Sequence, residues 1–426
     1  MIESETETIS KKYYPKLNDI KSAALILKGV AVNTPLIFNQ HLSEKYQAKI
    51  YLKREDLQIV RSYKIRGAYN KIYNLNKTGI KNGVVCASAG NHAQGVAYSC
   101  NLMKIEGIIF MPTPTPKQKV DRVKMFGNGY VDIVLVGDTF DDAHKEALEY
   151  SVKNGFEFVH PFDDPLVIEG QGTVGFEILE QTKDQIDFLF LPVGGGGLAS
   201  GVSSVFKELS AETKIIGVEP NGAPSMTKSF EQNKVVMLET IDRFVDGAAV
   251  QKVGDITFEI CKSNLDKMIT VNEGEICSNI LKLYNEEAIV VEPAGALSVT
   301  ALNQFKDEIK GKTVVSVLSG NNNDITRTEE IRERSLLYEG LKHYFIINFP
   351  QRAGALKEFV NFVLGPTDDI SYFEYSKKNN RERGPAVVGL ELQSRNDFDG
   401  LIQRMKTYGI VYEYLNERPD LFHFII

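Results

Sequence analysis

Between about Ala48 and Gly340 the chain repeats one pattern, a short run of β-branched and apolar residues followed by a longer segment with helical spacing. The runs are AKIYLKRE, GVVCAS, EGIIFMP, VDIVLV, EFVHP, IDFLFLPV, KIIGVEP and KTVVSVLSG. Strands separated by helices are expected to pair in parallel, because a parallel neighbour is reached only by a crossover. The pattern therefore predicts an α/β fold of βαβ units. About eight strands would make one wide sheet, so two doubly wound parallel-sheet lobes with a cleft between them are expected, with ligands at the carboxyl ends of the strands. At 426 residues the chain also exceeds the size at which a single core stops growing.

Near Glu339 the pattern changes to HYFIINF, a helical AGALKEFVNFVL, ISYFEYSK, a polar NNRERGP, AVVGLELQ, a helical FDGLIQRMKTYG and VYEYL. That β-α-β-β-α-β order predicts an α+β ferredoxin-like domain. The charged segment TRTEEIRERSLLYEG before it reads as a linking or closing helix, which puts the boundary near Tyr338. Residues 1–338 are then one domain and 339–426 the other, with a smaller lobe of about 57–160 inserted in the larger.

Charge and cysteine usage narrow the partners. Lys plus Arg number 49 against 56 Asp plus Glu, a net charge of −7, and no basic stripe tracks phosphates, so nucleic acid is not expected. Cys86, Cys100, Cys261 and Cys277 lack CxxC spacing and suggest reduced thiols. The polar N-terminal MIESETETISKKYYPKLND has no apolar h-region, and no uncharged stretch has membrane-spanning length. A cytoplasmic protein without a membrane partner is expected.

Four segments could carry chemistry. IDFLFLPV runs into Gly194, Gly195, Gly196 and Gly197, then a helix at Leu198. Consecutive glycines let backbone N–H groups converge on an anion at a helix N-terminus, at an entropic cost a plain turn would not require. The run also satisfies GxGxxA, and Glu219 ends the next strand where a ribose-binding acid would lie, so a dinucleotide is a rival ligand. The second segment, SYKIRGA, places Lys64 at a helix start where a neutral amine could form a Schiff base, though a lone lysine is ordinarily a surface charge. In the third, CASAGNHAQG, free N–H groups before a helix could hold a carboxylate, or Ser88 or Asn91 could merely cap that helix while His92 packs locally. In the fourth, SGNNN, Ser319 emerges at the end of an apolar strand, and a turn explains it equally well.

Together and in this order the four segments resemble the fold-type II pyridoxal-phosphate enzymes, specifically the biosynthetic threonine dehydratases, over nearly the whole chain. The resemblance implies a tryptophan synthase β-like catalytic fold with pyridoxal 5′-phosphate. It makes Lys64 the catalytic residue that carries the cofactor and gives the cofactor phosphate to Gly194, Gly195, Gly196, Gly197 and Leu198. It also sets Asn91 on the cofactor's ring oxygen and Ser319 at the pyridine nitrogen. Glu292, in EPAGA, and Gly247, in VDGAAV, would line the ring. Ser88, Ala89, Gly90, Asn91 and His92 would receive the substrate carboxylate. A neutral hydroxyl at the ring nitrogen makes a weaker electron sink, which suits elimination at the β carbon.

The implied reaction takes L-threonine to 2-oxobutanoate and ammonia at the start of isoleucine biosynthesis, with L-serine as a second substrate and a monovalent cation as a further candidate partner. Alternatives on the same fold are a serine racemase and a β-replacement enzyme such as a cysteine synthase. Racemases place a serine where this chain has Ala89, whose methyl cannot shuttle a proton. From another class, the chain could be a catalytically silent amino-acid sensor. FPQRAGAL, residues 349–356, resembles the FPxxxGAL signature of ACT-like domains, implying isoleucine or valine as effectors and a homotetramer or homodimer.

Overall fold

The computed structural model describes residues 13–375 and 383–418. The acidic N-terminal segment before Tyr13 and most of the polar NNRERGP link lie outside them. The chain divides into two compact units, Met1–Asp324 and Ile325–Ile426.

In the first unit the described strands are β1 (Leu36–Phe38), β2 (Lys49–Arg54), β3 (Val84–Ala87), β4 (Gly107–Met111), β5 (Val131–Leu135), β6 (Glu157–Phe158), β7 (Phe188–Pro192), β8 (Lys214–Pro220), β9 (Lys267–Val271) and β10 (Thr313–Leu318). They form a six-stranded sheet, order β1-β2-β10-β7-β8-β9, and a four-stranded sheet, order β5-β4-β3-β6. All pairs are parallel except β1 with β2. The smaller sheet is contiguous in sequence and falls between β2 and β7.

Strands β7 and β10 are buried at every residue, because helices cover both faces of a parallel sheet and a central strand meets no water. Their apolar runs interlock with Val174, Ile178, Val202, Phe206 and Phe258 in the principal core. Two strands, β1 and β9, were not anticipated from the sequence. Both lie at edges of the larger sheet and are short: β1 is an apolar run of only three residues, too brief to stand out, and β9 mixes exposed with buried positions and carries Lys267 and Thr270.

Local chemistry sets the helix ends. Thr139 and Asp142 form a reciprocal capping box at the start of the helix Phe140–Asn154, and Gly155 ends it at φ 67°. The Asp164 side chain accepts from the N–H groups of Leu166 and Val167, and Pro165 opens the helix Pro165–Gln181 where no N–H is needed.

The second unit has four strands, β11 (Lys342–Pro350), β12 (Asp369–Tyr375), β13 (Arg383–Glu391) and β14 (Tyr412–Tyr414). They pair antiparallel in the order β12-β13-β11-β14, with the helices Ala355–Phe362 and Asp397–Thr407 in the connections. Phe345, Ile347, Phe359, Val388, Leu390, Leu401 and Met405 make its core. This is the ferredoxin-like order that the tail's spacing predicts. The helix Thr328–Glu339 also belongs to this unit: Glu333 accepts from the Tyr344 hydroxyl at 2.7 Å and pairs with Lys342 at 3.3 Å. The division therefore precedes this helix, ahead of Tyr338. No described helix is long and apolar enough to cross a membrane.

Candidate active site

The carboxyl end of β10 and the segment before the helix Lys64–Thr78 are stitched together. Tyr63 N–H donates to the Ser319 carbonyl at 3.2 Å, Asn321 N–H donates to the Arg61 carbonyl at 2.9 Å, and Ser62 bridges antiparallel to Gly320. Lys64 begins its helix with no side-chain cap before it. Its ammonium donates to the Pro161 carbonyl at 2.9 Å and lies 5.5 Å from the Tyr63 ring centroid. Burial lowers its pKa to about 8, with the Glu292 carboxylate pulling the other way. An amine titrating there has a substantial neutral, nucleophilic fraction near neutral pH.

The glycine run turns from β7 into the helix Gly197–Leu209, with Gly196 at φ +93°. Its carbonyls are held from behind: Gly195 accepts from Thr257 Oγ1 at 2.6 Å and Gly196 from Ser200 N–H at 2.8 Å. Among the described residues no group accepts from the N–H groups of Gly194, Gly195, Gly196, Gly197 or Leu198. A Cβ on Gly195 would stand 2.3 Å from the Phe162 ring, and one on Gly194 2.9 Å from the Ala248 backbone. Converging unpaired donors at a helix N-terminus, in a space that tolerates no side chain, fit a phosphate. Glu219 does not serve this loop. It is fully buried and accepts from the N–H groups of Met226 and Thr227 and from Thr227 Oγ1, at 2.7–2.8 Å. Occupied there, it has no oxygen aimed at a ribose, and the dinucleotide alternative loses its acidic partner.

The helix Asn91–Met103 packs on the start of the Lys64 helix, where a Cβ on Gly95 would come within 3.2 Å of the Lys64 carbonyl. Gly90, not Ser88 or Asn91, is its N-cap, and no side chain caps it. Ser88 Oγ accepts from Gly90 N–H at 3.2 Å, and Ala89 is partly exposed in the turn. His92 is buried with Nε2 2.8 Å from the Val159 carbonyl, and burial lowers its pKa to about 3, so its ring is neutral and turned inward. Freed from capping, Asn91 donates from Nδ2 to Glu292 Oε1 at 2.6 Å.

Glu292 precedes the helix Pro293–Thr300 and is buried. Burial first, and Asp246 next, raise its pKa to about 7 against the hydrogen bond from Asn91. A Cβ on Gly247 would lie 2.8 Å from Ala294 Cβ and 3.5 Å from Glu292 Oε1. Ser319 Oγ is 3.3 Å from the Ala294 carbonyl, and Ser62 Oγ is buried without a partner among the described residues. Asn91, Gly247, Glu292 and Ser319 thus gather around the Lys64 segment, and Gly247 continues through Ala248 to the glycine loop. The fit to a phosphate-bearing cofactor anchored on a lysine rests on these groups.

Two features escaped the sequence. The Pro161–Phe162 turn supplies the acceptor for Lys64, the ring that backs Gly195 and the Cβ and backbone that back Gly197, and nothing in EFVHPF marks it. Arg66, inside the SYKIRGA motif, is fully buried in an ionic cluster. Its guanidinium donates to both Glu55 oxygens at 2.8 Å, to both Glu177 oxygens at 2.7 and 2.8 Å, to Thr173 Oγ1 and to the Val32 carbonyl. Lys53, also fully buried, donates to Glu177 at 2.6 Å. The helix carrying Lys64 is thereby locked to β2 and to the helix Pro165–Gln181.

Comparison with known proteins agrees with this geometry. Residues 27–320 match the family of pyridoxal-phosphate dependent enzymes, and residues 333–425 match the C-terminal regulatory domain of threonine dehydratase. The L-threonine dehydratase biosynthetic IlvA of Halalkalibacterium halodurans is 58% identical over 411 residues, 96% of this chain and 99% of the relative. Its namesake in Bacillus subtilis is 56% identical over 400 residues, 94% and 95% of the two chains. The processed form of threonine deaminase isoform 2 from Solanum lycopersicum superposes with a TM-score of 0.70 at 40% identity, covering 76% of this chain and 95% of that one. Maize serine racemase gives the same TM-score at 28% identity, covering 76% and 99%. The fold is therefore shared between eliminating and racemising enzymes, while near-full-length identity lies with the former. With its catalytic fold, its regulatory tail and these relatives, the chain belongs to the biosynthetic threonine dehydratases, lyases that depend on pyridoxal phosphate.

Proposed function

We propose that this chain converts L-threonine to 2-oxobutanoate and ammonia, supplying isoleucine biosynthesis, and that L-serine is turned over to pyruvate by the same residues. The observation that carries the proposal is the placement of the Lys64 amine on the Pro161 carbonyl, one residue from the ring that backs the glycine loop. Pyridoxal phosphate, when bound, supplies the electron sink that makes the substrate Cα proton acidic. Lys64 would hold the cofactor, and its amine is the base placed to take that proton. The N–H groups of residues 194–198 hold the phosphate, Ser319 faces the ring nitrogen, and Asn91, Glu292 and Gly247 border the ring. Ser88, Ala89, Gly90, Asn91 and His92 form the turn that receives the carboxylate, His92 through its backbone. Loss of the β-hydroxyl as water and hydrolysis of the enamine complete the reaction with no net change in water.

Ala89 supports elimination over racemisation, because a methyl on that turn cannot deliver a proton to the opposite face. The same proposal gives the tail to isoleucine or valine as effectors and the chain to a cytoplasmic homo-oligomer. A visible spectrum of the purified protein and a keto-acid assay on both substrates test the catalytic part. Absence of 2-oxobutanoate from threonine would remove it. Isoleucine titrated into the same assay tests the tail: neither a change in rate nor calorimetric binding would withdraw the effector role.

A further inference from the structure

The SGNNN segment has a residue beyond Ser319 that the proposed reaction leaves unused. Asn322 lies between the two sheets' loops with its side-chain amide fully engaged. Its Oδ1 accepts from Arg122 Nη1 at 3.3 Å, and its Nδ2 donates to the Val60 carbonyl at 2.9 Å and to Asn91 Oδ1 at 2.5 Å. Its backbone N–H also supports the Glu292 carboxylate.

These contacts fix a polarity. A guanidinium only donates, and a backbone carbonyl only accepts. Arg122 therefore requires the oxygen of Asn322, Val60 requires its NH₂, and the second N–H of that group is left for Asn91. Asn91 must then turn its own oxygen toward Asn322 and its NH₂ toward Glu292, which accepts one hydrogen at 2.6 Å. One N–H of Asn91 remains, with no acceptor among the described residues.

We propose that Asn322 is a positioning residue that sets the amide of Asn91, through the donor order Arg122 to Asn322 to Asn91 to Glu292, so that the remaining Asn91 N–H is presented to the cofactor's ring oxygen. The proposal rests on the assignment of pyridoxal phosphate to Lys64 and of Asn91 to that oxygen.

Asn322→Asp replaces the donor facing Asn91 and Val60 with a second acceptor, and its carboxylate is drawn to Arg122. Asn91 then rotates and offers its oxygen to the site. Asn322→Ala leaves Asn91 unconstrained. With saturating pyridoxal phosphate, both variants load one cofactor per chain. The ratio of the long-wavelength band to its near-ultraviolet companion changes, and kcat falls about tenfold, the equivalent of one charge-assisted hydrogen bond, while KM for threonine stays within about twofold. In an Asn91→Ala background, adding Asn322→Asp changes neither the band ratio nor kcat further, because Asn322 acts through Asn91.

Unchanged spectra and kcat in both single variants overturn the proposal, as does an undiminished effect of Asn322→Asp in the Asn91→Ala background. Failure of both to load or fold while Asn91→Ala loads normally makes Asn322 structural and overturns it too. A band that survives Lys64→Ala strikes the underlying cofactor assignment instead, and the proposal falls with it.

Discussion

Replacing Arg66 by methionine keeps an unbranched, shorter apolar side chain and removes the charge from a buried cluster that is neutral in the native chain. Arg66 and Lys53 balance Glu55 and Glu177 there. In the variant one carboxylate is left uncompensated, with Glu55 fully buried and retaining, among the described residues, Thr34 and Gln58 as side-chain hydrogen-bond donors. Breaking a buried pair in this way costs about 3–5 kcal/mol. With about 2.1 cal/mol/K of unfolding entropy per residue, the 324 residues of the first unit give ~0.7 kcal/mol/K, so the midpoint falls by about 4–7 °C. The chain has no tryptophan, so far-UV circular dichroism of the cofactor-free protein is the suitable melt. Arg66→Met combined with Glu55→Gln restores neutrality and recovers most of the loss, because no lone charge remains buried. A single variant melting within about 2 °C of the parent, or a double variant no better than the single, would refute the charge-balance account.

Acid should weaken the same cluster. Burial opposes the Glu55 charge, but the Arg66 guanidinium, with Lys53 and Thr34, outweighs it and holds the carboxyl below its usual range. Its contribution is thus complete above the ordinary glutamate value and is lost as pH falls through the lower, folded one, a loss absent from melts of Glu55→Gln. Neutral Lys64 accumulates as pH rises through about 8. Capture of pyridoxal phosphate by cofactor-free protein should therefore accelerate between about pH 7 and 9 and then level off in stopped-flow absorbance, and a flat profile contradicts the nucleophile assignment. Lys64→Ala should lose both the visible band and turnover. In Gly195→Ala the new methyl meets the Phe162 ring, and about 1–3 kcal/mol of overpacking weakens cofactor binding by roughly 5- to 150-fold in a fluorescence titration. Chiral chromatography of unreacted serine should find only the L form; accumulation of the D form would mean that Ala89 does not block racemisation.

What the sequence made legible followed the strength of the local signal. Covered central strands such as TVVSVL and FLFLP announce themselves by continuous apolar character, and the tail by its strand–helix order. The edge strands β1 and β9 do not, the first being only three residues long and the second interrupted by polar residues. At the site, glycines and the SYKIRGA lysine were conspicuous, being costly or chemically distinctive residues in a fixed order. Glu292 was visible only within a family motif. Phe162, Asn322 and the Arg66 cluster depend on partners in other elements, Glu55 11 and Glu177 111 residues from Arg66 and Asn91 231 residues from Asn322, and no local spacing encodes those contacts. The boundary near Tyr338 followed a change in composition, whereas the fold binds the preceding helix to the tail through Glu333.

The short span from β6 to the Pro161–Phe162 turn works as a coupling rod. At one end it is a strand of the smaller sheet, and Val159 in its middle engages the buried His92 ring. At the other end its carbonyl meets the lysine amine and its phenyl ring seats the glycine loop. On the proposed assignment, one short span would thus set the amine that anchors the cofactor and the loop that holds its phosphate, so the two are placed by the same element.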